Sequence, residues 1–424
     1  MVKGLKIRFE IHNILFSIYE FNKTLNNNLI KTKINKQKKE DISFLLNVTL
    51  NSMRLHLHCL KIIKKYIKKK LRNHEKILLI SAITQIVFLD FKEYAVINCS
   101  VEIAKKLKLY PGLINASLKN IAKDRKSLKK IKISFCDFPT WFQKKANHLS
   151  QLEKEQFINY FYKEPDIHIV FKNEKKLNKF EDKLIKTSKI SGFILNKKDI
   201  QNKETFINGD WWVQDFSSFL PLYNFQEHNN NIDKKFLDVC AAPGGKSFQI
   251  LSNKYNVILN DINSTRIKTL KDNLKRLNLN AKIINKDFTK FNNKEKYDII
   301  IIDAPCSAVG TIRKNPEILF KKNGPNFNEL VLLQKNMLDK ASSLLNEGGY
   351  IIYMTCSFLE IETIDQIDRF ISNNSNFLQA DFKLIENKND YSKLIKNNYM
   401  ITTPNKILNY TIDGYFAVYL KKIR

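Results

Sequence analysis

The sequence predicts an α/β protein in which a mostly parallel, doubly wound sheet follows an all-helical block and a small α+β connector. Strand and helix signals alternate after residue 232, whereas residues 1–132 show apolar residues at helical spacing only. A Gly-Gly turn at 244–245 also joins an apolar run to a helix start. We therefore divide the chain into residues 1–132, 133–231 and 232–424.

The N-terminal block is predicted to be a compact bundle of amphipathic helices. Apolar residues recur at helical spacing from Ile7 to Ile18 and again in segments 44–71, 74–91, 95–107 and 112–121. The run Lys61–Lys70 is expected to bury its apolar stripe and to leave its lysines in water or on phosphate. His56 and His58 lie near Cys59, but residues two apart on a helix point in different directions, so we expect surface histidines and no metal site there.

The connector shows short apolar runs among polar residues, which is typical of a small α+β segment. It ends in a turn followed by Trp211 and Trp212, just before the glycine turn. Tryptophans at such a place could stack on a ligand, but packing in a core is the stronger expectation.

The charge of the chain is strongly positive and uneven. The formal net charge is +30; residues 1–150 hold 31 Lys and Arg against 10 Asp and Glu (+21), and the remainder holds 41 against 32 (+9). Such a block attracts nucleic acid through its phosphates. The alternatives are a solvated basic surface without a partner and a codon bias toward Lys, Asn and Ile.

The expected cellular location and redox state depend on three signals that the sequence does not show: an export signal, a membrane-spanning stretch and closely paired cysteines. Arg8 and Glu10 lie where an export signal would be apolar, and the longest apolar stretch, 77–91, is too short to span a bilayer. The six cysteines show no close pairing of the zinc or disulfide kind. We therefore expect a cytoplasmic monomer with reduced thiols, no metal and no membrane association.

The segment from Phe236 to Ser247 predicts a strand, a tight turn and a helix start that together bind a cofactor. Pro243 stiffens the turn, and Gly244 and Gly245 lack side chains that would keep a ligand from the backbone. The spacing matches neither the Gly-x-Gly-x-x-Gly of dinucleotide sites nor the Gly-x-x-x-x-Gly-Lys-Ser/Thr of phosphate loops. Adenosine with a small charged tail is the ligand that the turn favours.

The other candidate residues follow predicted strands 236–240, 256–260, 281–285, 297–303 and 350–355; a last strand is predicted at 415–420. Ligands of such sheets bind beyond the carboxyl ends of the strands. Asp261 is suited to accept hydrogen bonds from both ribose hydroxyls, and Asp287 from an exocyclic amine, although Asp287 could instead cap a helix.

Two thiols are predicted at the same edge, in Asp303-Ala304-Pro305-Cys306 and in Thr355-Cys356-Ser357. A buried free cysteine is usually an inert small hydrophobe. Two cysteines at strand ends beside a nucleotide-type site instead favour reactivity.

Several motifs closely resemble those of the bacterial 16S rRNA cytosine-5 methyltransferases of the Sun/Fmu family, which carry an N-terminal domain like the antitermination factor NusB. They are Asp238-Val239-Cys240-Ala241-Ala242-Pro243-Gly244-Gly245-Lys246, Asp303-Ala304-Pro305-Cys306-Ser307-Ala308-Val309-Gly310, Ile312-Arg313-Lys314-Asn315-Pro316-Glu317 and Thr355-Cys356-Ser357. The helical block resembles the NusB-like domain, and Asp413-Gly414-Tyr415-Phe416 resembles the closing strand. After Cys356, only Glu362 fits the Glu-Asn pair that is usual in the family.

This resemblance implies a Rossmann-like fold that binds S-adenosyl-L-methionine through Cys240–Lys246, with Asp261, Asp287 and Asp303 as further contacts. It also implies that Cys356 adds to carbon 6 of a cytosine, that Cys306 assists product release, and that Asp303 supports the ring. The implied partner is 16S rRNA or a small-subunit assembly intermediate, with an unstacked target base.

Two other hypotheses stay open. In a methyltransferase for another RNA or for DNA, Cys306 would be the nucleophile, since DNA cytosine-5 methyltransferases use the cysteine of a Pro-Cys pair. The third hypothesis is a non-catalytic RNA-binding factor for ribosome assembly, against which the intact acids and both thiols speak.

Overall fold

The computed structural model describes residues 4–21, 25, 39–197, 199–228, 233–292, 295–385 and 389–423. These residues pack as two compact units, which are described separately. The helical unit takes its residues from 1–147, 161–163 and 312–325. The sheet unit takes its residues from 148–160, 164–311 and 326–424.

The helical unit is a bundle, as the sequence predicts. Its helices are α1 (Leu5–Phe21), α2 (Lys39–Arg54), α3 (His56–Tyr66), α4 (Asn73–Ile83), α5 (Glu93–Lys106), α6 (Pro111–Lys123), α7 (Arg125–Leu128) and α8 (Thr140–Lys145). Leu79 on α4, Ile103 on α5 and Leu118 on α6 are almost fully buried in its core. The apolar faces of these helices therefore pack against one another.

The helix boundaries differ from the predicted ones at two places. Segment 44–71 contains parts of α2 and α3, which are separated at Leu55, and α3 ends before Ile67, whose backbone is extended. Helix α4 is followed by a π-helical turn, Thr84–Phe88, in which the N–H of Leu89 donates to the carbonyl of Thr84 at 3.0 Å. Apolar periodicity continues across both changes, so spacing alone does not reveal them.

The surface prediction for His58 is wrong. Its ring is buried against the rings of Phe88, Phe161 and Tyr162, because α3 is covered on more than one side. Burial lowers the pKa of His58 to about 4. His56 is half-buried with a ring nitrogen 2.6 Å from the Tyr19 hydroxyl, and burial lowers its pKa to about 3. Both imidazoles are therefore neutral at pH 7.

Residues 312–325 pack with the helical unit, although their sequence positions lie within the range 232–424. The guanidinium of Arg54 donates to the carbonyl oxygen of Arg313 at 2.9 Å. The ring of Phe320 stacks on Tyr19 with centroids 4.2 Å apart. Segment 312–325 is thus part of the bundle packing.

The connector residues form an antiparallel sheet within the sheet unit. Its strands are β1 (His168–Phe171), β2 (Leu184–Ser188), β3 (Ser191–Ile194) and β4 (Trp211–Val213), in the order β2-β3-β1-β4. Helices α9 (Gln151–Tyr160), α10 (Glu174–Asn178) and α11 (Glu204–Ile207) lie in the same stretch of chain. Trp211 and Trp212 are buried, which confirms that they pack in a core.

The main sheet is doubly wound and mostly parallel, which confirms the predicted fold class. Its strands are β5 (Lys235–Asp238), β6 (Asn256–Asn260), β7 (Lys282–Ile284), β8 (Tyr297–Asp303), β9 (Leu345–Thr355), β10 (Phe377–Gln379), β11 (Ile395–Lys396), β12 (Tyr399–Thr402) and β15 (Tyr415–Lys422). Their order is β11-β12-β15-β9-β8-β5-β6-β7, with β10 also paired to β15. Strands β5 to β9 are parallel, and β15 runs antiparallel to β9.

Helices cover both faces of this sheet. They are α12 (Phe216–His228), α13 (Gly245–Ser252), α14 (Ser264–Arg276), α15 (Phe327–Leu344), α16 (Ile364–Asn373) and the short α17 (Asn389–Ser392). Ile299 and Ile301 of β8 join one core cluster and Ile300 and Ile302 join the other, because successive side chains of a strand point to opposite faces. A separate hairpin is formed by β13 (Asn405–Ile407) and β14 (Tyr410–Ile412).

The structure also bears on membrane insertion. Among the described residues, no helix has both the length and the apolar character needed to cross a bilayer.

Candidate active site

A cavity of about 260 Å³ opens at the carboxyl ends of the parallel strands. Six of the residues predicted for the site line it: Cys240, Asp261, Asp287, Asp303, Cys306 and Cys356. They come from the ends of β5, β6, β7, β8 and β9, whose parallel direction brings them to one edge of the sheet.

The glycine turn follows β5 and opens α13, as predicted. Gly244 has φ of 119°, a left-handed conformation that favours glycine, and a Cβ there would lie 2.0 Å from the ring of Phe248. A Cβ at Gly245 would face the side chain of Gln214. The space beside both glycines is therefore occupied by protein side chains, and Ala242-Pro243 is a cis peptide.

Asp261 joins the glycine turn to the end of β6. Its Oδ2 accepts the N–H of Ala242 at 3.1 Å, and its Oδ1 accepts the N–H of Asn263 at 2.8 Å. A carboxylate offers about four lone-pair directions. Each oxygen of Asp261 thus retains capacity for another donor, such as a hydroxyl group of a ligand.

Asp287 caps the 3₁₀ turn Phe288–Lys290 while lining the cavity. Its Oδ1 accepts the N–H of Thr289 at 3.0 Å and the Thr289 hydroxyl at 2.7 Å. The bond from the Thr289 hydroxyl lowers the pKa of Asp287 below its ordinary value. The capping alternative is therefore observed, and it leaves Oδ2 beside Lys290 at 3.7 Å.

Asp303 and Lys246 form a half-buried ion pair. The Nζ atom of Lys246 lies 2.7 Å from Oδ2 of Asp303 and donates to the Ser218 hydroxyl at 3.0 Å. The hydroxyl of Tyr415 donates to the other oxygen of Asp303 at 3.1 Å. Burial raises the pKa of Tyr415, and the charge of Asp303 raises it further, so Tyr415 remains a neutral donor.

The two predicted thiols are adjacent, with Sγ of Cys306 3.3 Å from Sγ of Cys356. The hydrogen bond to Cys356 is the main cause that raises the pKa of Cys306, followed by burial and by the charges of Cys356 and Glu362. Either sulfur can be the donor in this contact. Burial likewise raises the pKa of Cys240, which makes that thiol an inert lining group.

The structure adds two residues whose roles sequence reasoning missed. Tyr415 was noted only as part of the closing strand, and Ser218 gave no local signal. A tyrosine that directly follows a glycine at the start of a buried strand is a local signal by which Tyr415 could have been found. Ser218 contacts Lys246 only because α12 passes beside the turn.

The described residues contain no group of three or more His, Cys, Asp or Glu side chains that could hold a metal ion.

The fold and this edge define a Rossmann-like methyltransferase domain that follows a helical domain of the NusB type. Residues 224–421 match the family described as 16S rRNA methyltransferase RsmB/F, and residues 6–123 match the NusB family.

Known proteins resemble this chain over most of its length. The ribosomal RNA small subunit methyltransferase B of Vibrio vulnificus (strain YJ016) is 26% identical over 87% of this chain and 91% of its own. The crystal structure of PH0851 matches with a TM-score of 0.70 and 19% identity, covering 100% of this chain and 99% of its own. NSun6 from Pyrococcus horikoshii, solved with SFG, matches with a TM-score of 0.57 and 17% identity over 68% of this chain and 99% of its own. The two structures support the fold.

The loop that carries Cys306 generates a stability prediction. The N–H of Gly310 donates to the carbonyl of Cys356 at 3.0 Å, and a Cβ at Gly310 would lie 1.9 Å from the carbonyl oxygen of Gly414. We expect Gly310→Ala to lower the free energy of unfolding by about 3 kcal/mol through overpacking. Denaturant unfolding measures this change.

The matched control is Gly112→Ala, because nothing lies within 4 Å of a Cβ at that position in α6. Its stability should be unchanged or slightly raised. Equal stabilities of the Gly310→Ala protein and the original protein would contradict the close packing.

Asp238 generates a pH prediction. Burial raises its pKa to about 6, although the Ser247 hydroxyl donates to its Oδ2 at 2.7 Å. Since the folded pKa exceeds the unfolded value of about 4, the ionised form disfavours folding. This penalty is absent below pH 4, grows as the pH rises to 6 and is complete above it, at about 3 kcal/mol.

Asp238→Asn should remove this dependence. The difference in unfolding free energy between the variant and the original protein should shift by about 3 kcal/mol in favour of the variant from pH 4 to pH 7. Denaturant unfolding at several pH values measures it, with Glu360→Gln, at a half-exposed side chain, as the control. A difference that does not vary with pH would refute the prediction.

Proposed function

We propose that this protein transfers a methyl group from S-adenosyl-L-methionine to carbon 5 of a specific cytosine in 16S rRNA, through a covalent bond between Cys356 and carbon 6. The observation that carries the proposal is the pair of sulfur atoms 3.3 Å apart, from two cysteines that line the cavity of a domain matched by the RsmB/F family. The name of the Vibrio relative, which refers to small-subunit rRNA, supports the substrate.

The residues of the cavity fit this cofactor. Asp261 has capacity for two ribose hydroxyls, and Asp287 with the buried Phe288 lines the wall where an adenine could lie. Of the turn Cys240–Lys246, Cys240 lines the cavity and Lys246 pairs with Asp303, which is the further carboxylate of the lining. Bound S-adenosylmethionine would supply an electrophilic methyl group; the protein residues supply the activation of the base.

Cys356 is the residue we assign as nucleophile. Carbon 5 of cytosine is a weak nucleophile, and addition of a thiolate to carbon 6 makes it electron-rich. The resemblance of Thr355-Cys356-Ser357 to the family motif assigns the nucleophile to Cys356, and Sγ of Cys306 lies 3.3 Å away as its neighbour. Formation of the sulfur–carbon 6 bond moves electron density to carbon 5, which could then take the methyl group; the sulfonium sulfur of the cofactor would keep the electron pair of the bond that breaks.

Cys306 is suited to the release step. Its S–H can pass a proton to the departing sulfur of Cys356, 3.3 Å away, as the bond from that sulfur to carbon 6 breaks. The resulting Cys306 thiolate takes the proton of carbon 5 in the same elimination, and the electron pair of that C–H bond forms the double bond between carbons 5 and 6. Cys306 ends as a thiol, and Cys356 leaves as a thiol that holds the released proton until it passes to solvent.

Asp303 is suited to accept a hydrogen bond from the base. Its oxygens already receive donors from Lys246 and Tyr415, so both are oriented as hydrogen-bond acceptors. The exocyclic amine of cytosine is a donor of the matching kind. We assign Asp303 to orient the ring and to stabilise charge that develops on it.

The cysteine roles are tested by single substitutions on 16S rRNA from cells that lack the protein. Cys356→Ala should lower incorporation of labelled methyl at least about 1,000-fold, because the nucleophile is lost. Cys306→Ala should still form the covalent complex but release it slowly, so that a protein–RNA adduct accumulates on a denaturing gel.

Cys136→Ala is the control, since that thiol is exposed in the helical unit. Retention of activity by Cys356→Ala, with loss of the adduct in Cys306→Ala, would contradict the assignment and favour the Pro-Cys type of nucleophile. The same methyl-incorporation assay with DNA in place of RNA tests the alternative that DNA is the substrate. Failure to bind S-adenosylmethionine in calorimetry would favour the non-catalytic assembly factor.

We further propose that the helical domain binds the RNA backbone through a cationic cluster around Tyr110. The ring of Tyr110 is 55% exposed; Nζ of Lys69 lies 4.4 Å and the guanidinium of Arg72 lies 4.8 Å from its centroid. Lys68 and Lys108 are exposed nearby in sequence, and the Arg72 guanidinium donates to the Lys108 carbonyl. Cations bind phosphates, and an exposed aromatic ring offers a surface on which an unstacked base can stack.

Charge reversal tests this cluster. Lys68→Glu with Lys69→Glu should weaken binding to 16S rRNA about tenfold or more at 0.15 M salt. The slope of the logarithm of affinity against the logarithm of salt concentration should fall by the amount expected for the loss of one to two phosphate contacts. The turnover at saturating RNA should not change. Filter binding at several salt concentrations measures the effect.

Lys175→Glu with Lys179→Glu, exposed in the sheet unit, has the same charge change and serves as control. Equal losses of affinity in the two double variants would show a nonspecific charge effect and contradict the cluster.

A further inference from the structure

We propose that the buried carboxylate of Glu362 is a positioning residue that holds both cysteine loops in register; the inference rests on the two-cysteine reaction proposed above. Glu362 lies in the 3₁₀ turn Glu360–Glu362, and its relative exposure is 0%. Its carboxylate contacts neither cysteine sulfur through any hydrogen bond found in the described part of the chain, so it acts on the sulfurs through their neighbours.

The carboxylate holds the first cysteine loop by two bonds. Oε1 of Glu362 accepts the backbone N–H of Ser307 at 2.7 Å, and Oε2 accepts the Ser307 hydroxyl at 2.5 Å. Ser307 directly follows Cys306. The side-chain amide of Gln334 donates both to Oε1 at 3.3 Å and to the carbonyl of Pro305 at 2.9 Å. The residues on both sides of Cys306 are therefore tied to one group.

The same carboxylate holds the second cysteine loop. The hydroxyl of Ser357, which directly follows Cys356, donates to Oε2 of Glu362 at 2.6 Å. The Tyr353 hydroxyl donates to the backbone carbonyl of Glu362 at 3.0 Å and so anchors the turn to β9. One charged group thus links the two segments whose sulfurs lie 3.3 Å apart.

The energetics make this link specific. Hydrogen bonds to an ionised acceptor are short and about twice as strong as neutral ones. A buried carboxylate that loses its donors, or donors that lose their carboxylate, costs several kcal/mol. The two loops are therefore stable only in the arrangement that keeps all four donors on Glu362. The charge of Glu362 also contributes to the raised pKa of Cys306.

Glu362→Gln tests the proposal with almost no change of volume. It removes the charge and replaces one acceptor oxygen with an NH₂ group, which faces donors of Ser307 or Ser357. The first readout is crosslinking by diamide, which oxidises two thiols to a disulfide and is itself reduced to a hydrazine. We expect the Cys306–Cys356 crosslink, quantified by peptide mass spectrometry, to form about tenfold more slowly in the variant.

The second readout is kinetic. The kcat for 16S rRNA should fall about tenfold or more while KM changes less than twofold, because binding groups are untouched and sulfur alignment is lost. Glu360→Gln is the matched control: it changes the same residue type in the same turn at a half-exposed side chain without a bond to either serine. Both its crosslinking rate and its kcat should equal those of the original protein.

Serine variants keep the test decisive if Glu362→Gln does not fold. Ser307→Ala and Ser357→Ala each remove one donor and should each slow the crosslink less than Glu362→Gln does, and the double variant should slow it more than either. A folded Glu362→Gln protein, or a folded double variant, with original crosslinking rate and kcat would overturn the proposal. A loss of crosslinking rate and kcat that only matches the unfolded fraction of the variant would also overturn the proposal.

The crosslinking rate needs neither RNA nor cofactor, so it separates this proposal from the proposed function. Slower crosslinking in Glu362→Gln, with no methylation of 16S rRNA by the original protein, would support the positioning role of Glu362 and reject 16S rRNA as the substrate. Methylation by the original protein, with unchanged crosslinking in Glu362→Gln, would support the substrate and reject the positioning role.

Discussion

The arrangement of the sheet unit depends on one constraint, the burial of β8 on both faces. Ile299 to Ile302 are fully buried, and alternate members enter the core on opposite sides of the sheet. Such a strand requires helices on both faces, and parallel neighbours are joined through those helices. The direction of the neighbouring strands then fixes which of their ends meet, so the acids and the thiols share one edge. The chemistry of the cavity follows from how the apolar residues pack.

The edge combines two kinds of group: carboxylates that accept hydrogen bonds from the protein, and two thiols. Asp261, Asp287 and Asp303 each receive donors from the protein, and this keeps their oxygens oriented before any ligand arrives. The two sulfurs share one contact, and the hydrogen bond to Cys356, burial and the charge of Glu362 raise the pKa of Cys306. Acceptors that are oriented in advance stabilise charge that develops during a reaction.

Much of the fold was predictable because its signals are local. The run of isoleucines in β8, the helical spacing of the first block and the glycine turn each indicate their element without knowledge of the rest. The predicted strand 236–240 ends at Asp238 in the structure, and the predicted strand 350–355 begins at Leu345, since strand ends depend on partners. Short strands such as β11 and β12 have too few residues to show a pattern.

The parts of the site that sequence reasoning missed come from long-range contacts. Tyr415 reaches Asp303 across 112 positions, and Glu362 reaches Ser307 across 55 positions. His58 is buried against Phe161 and Tyr162, which are distant in sequence, so no local pattern predicts its burial. The resemblance matched Glu362 to a family position, but its bonds to both loops required coordinates.

The packing of residues 312–325 within the helical unit has a consequence for biosynthesis. A ribosome synthesises the N-terminal helices long before the segment that supplies the partners of Arg54 and Tyr19. The bundle therefore completes its packing with residues 312–325 only after about three quarters of the chain has been translated. Nascent chains arrested before that point carry an unfinished bundle, which makes translation itself a stage at which chaperones have a surface to bind.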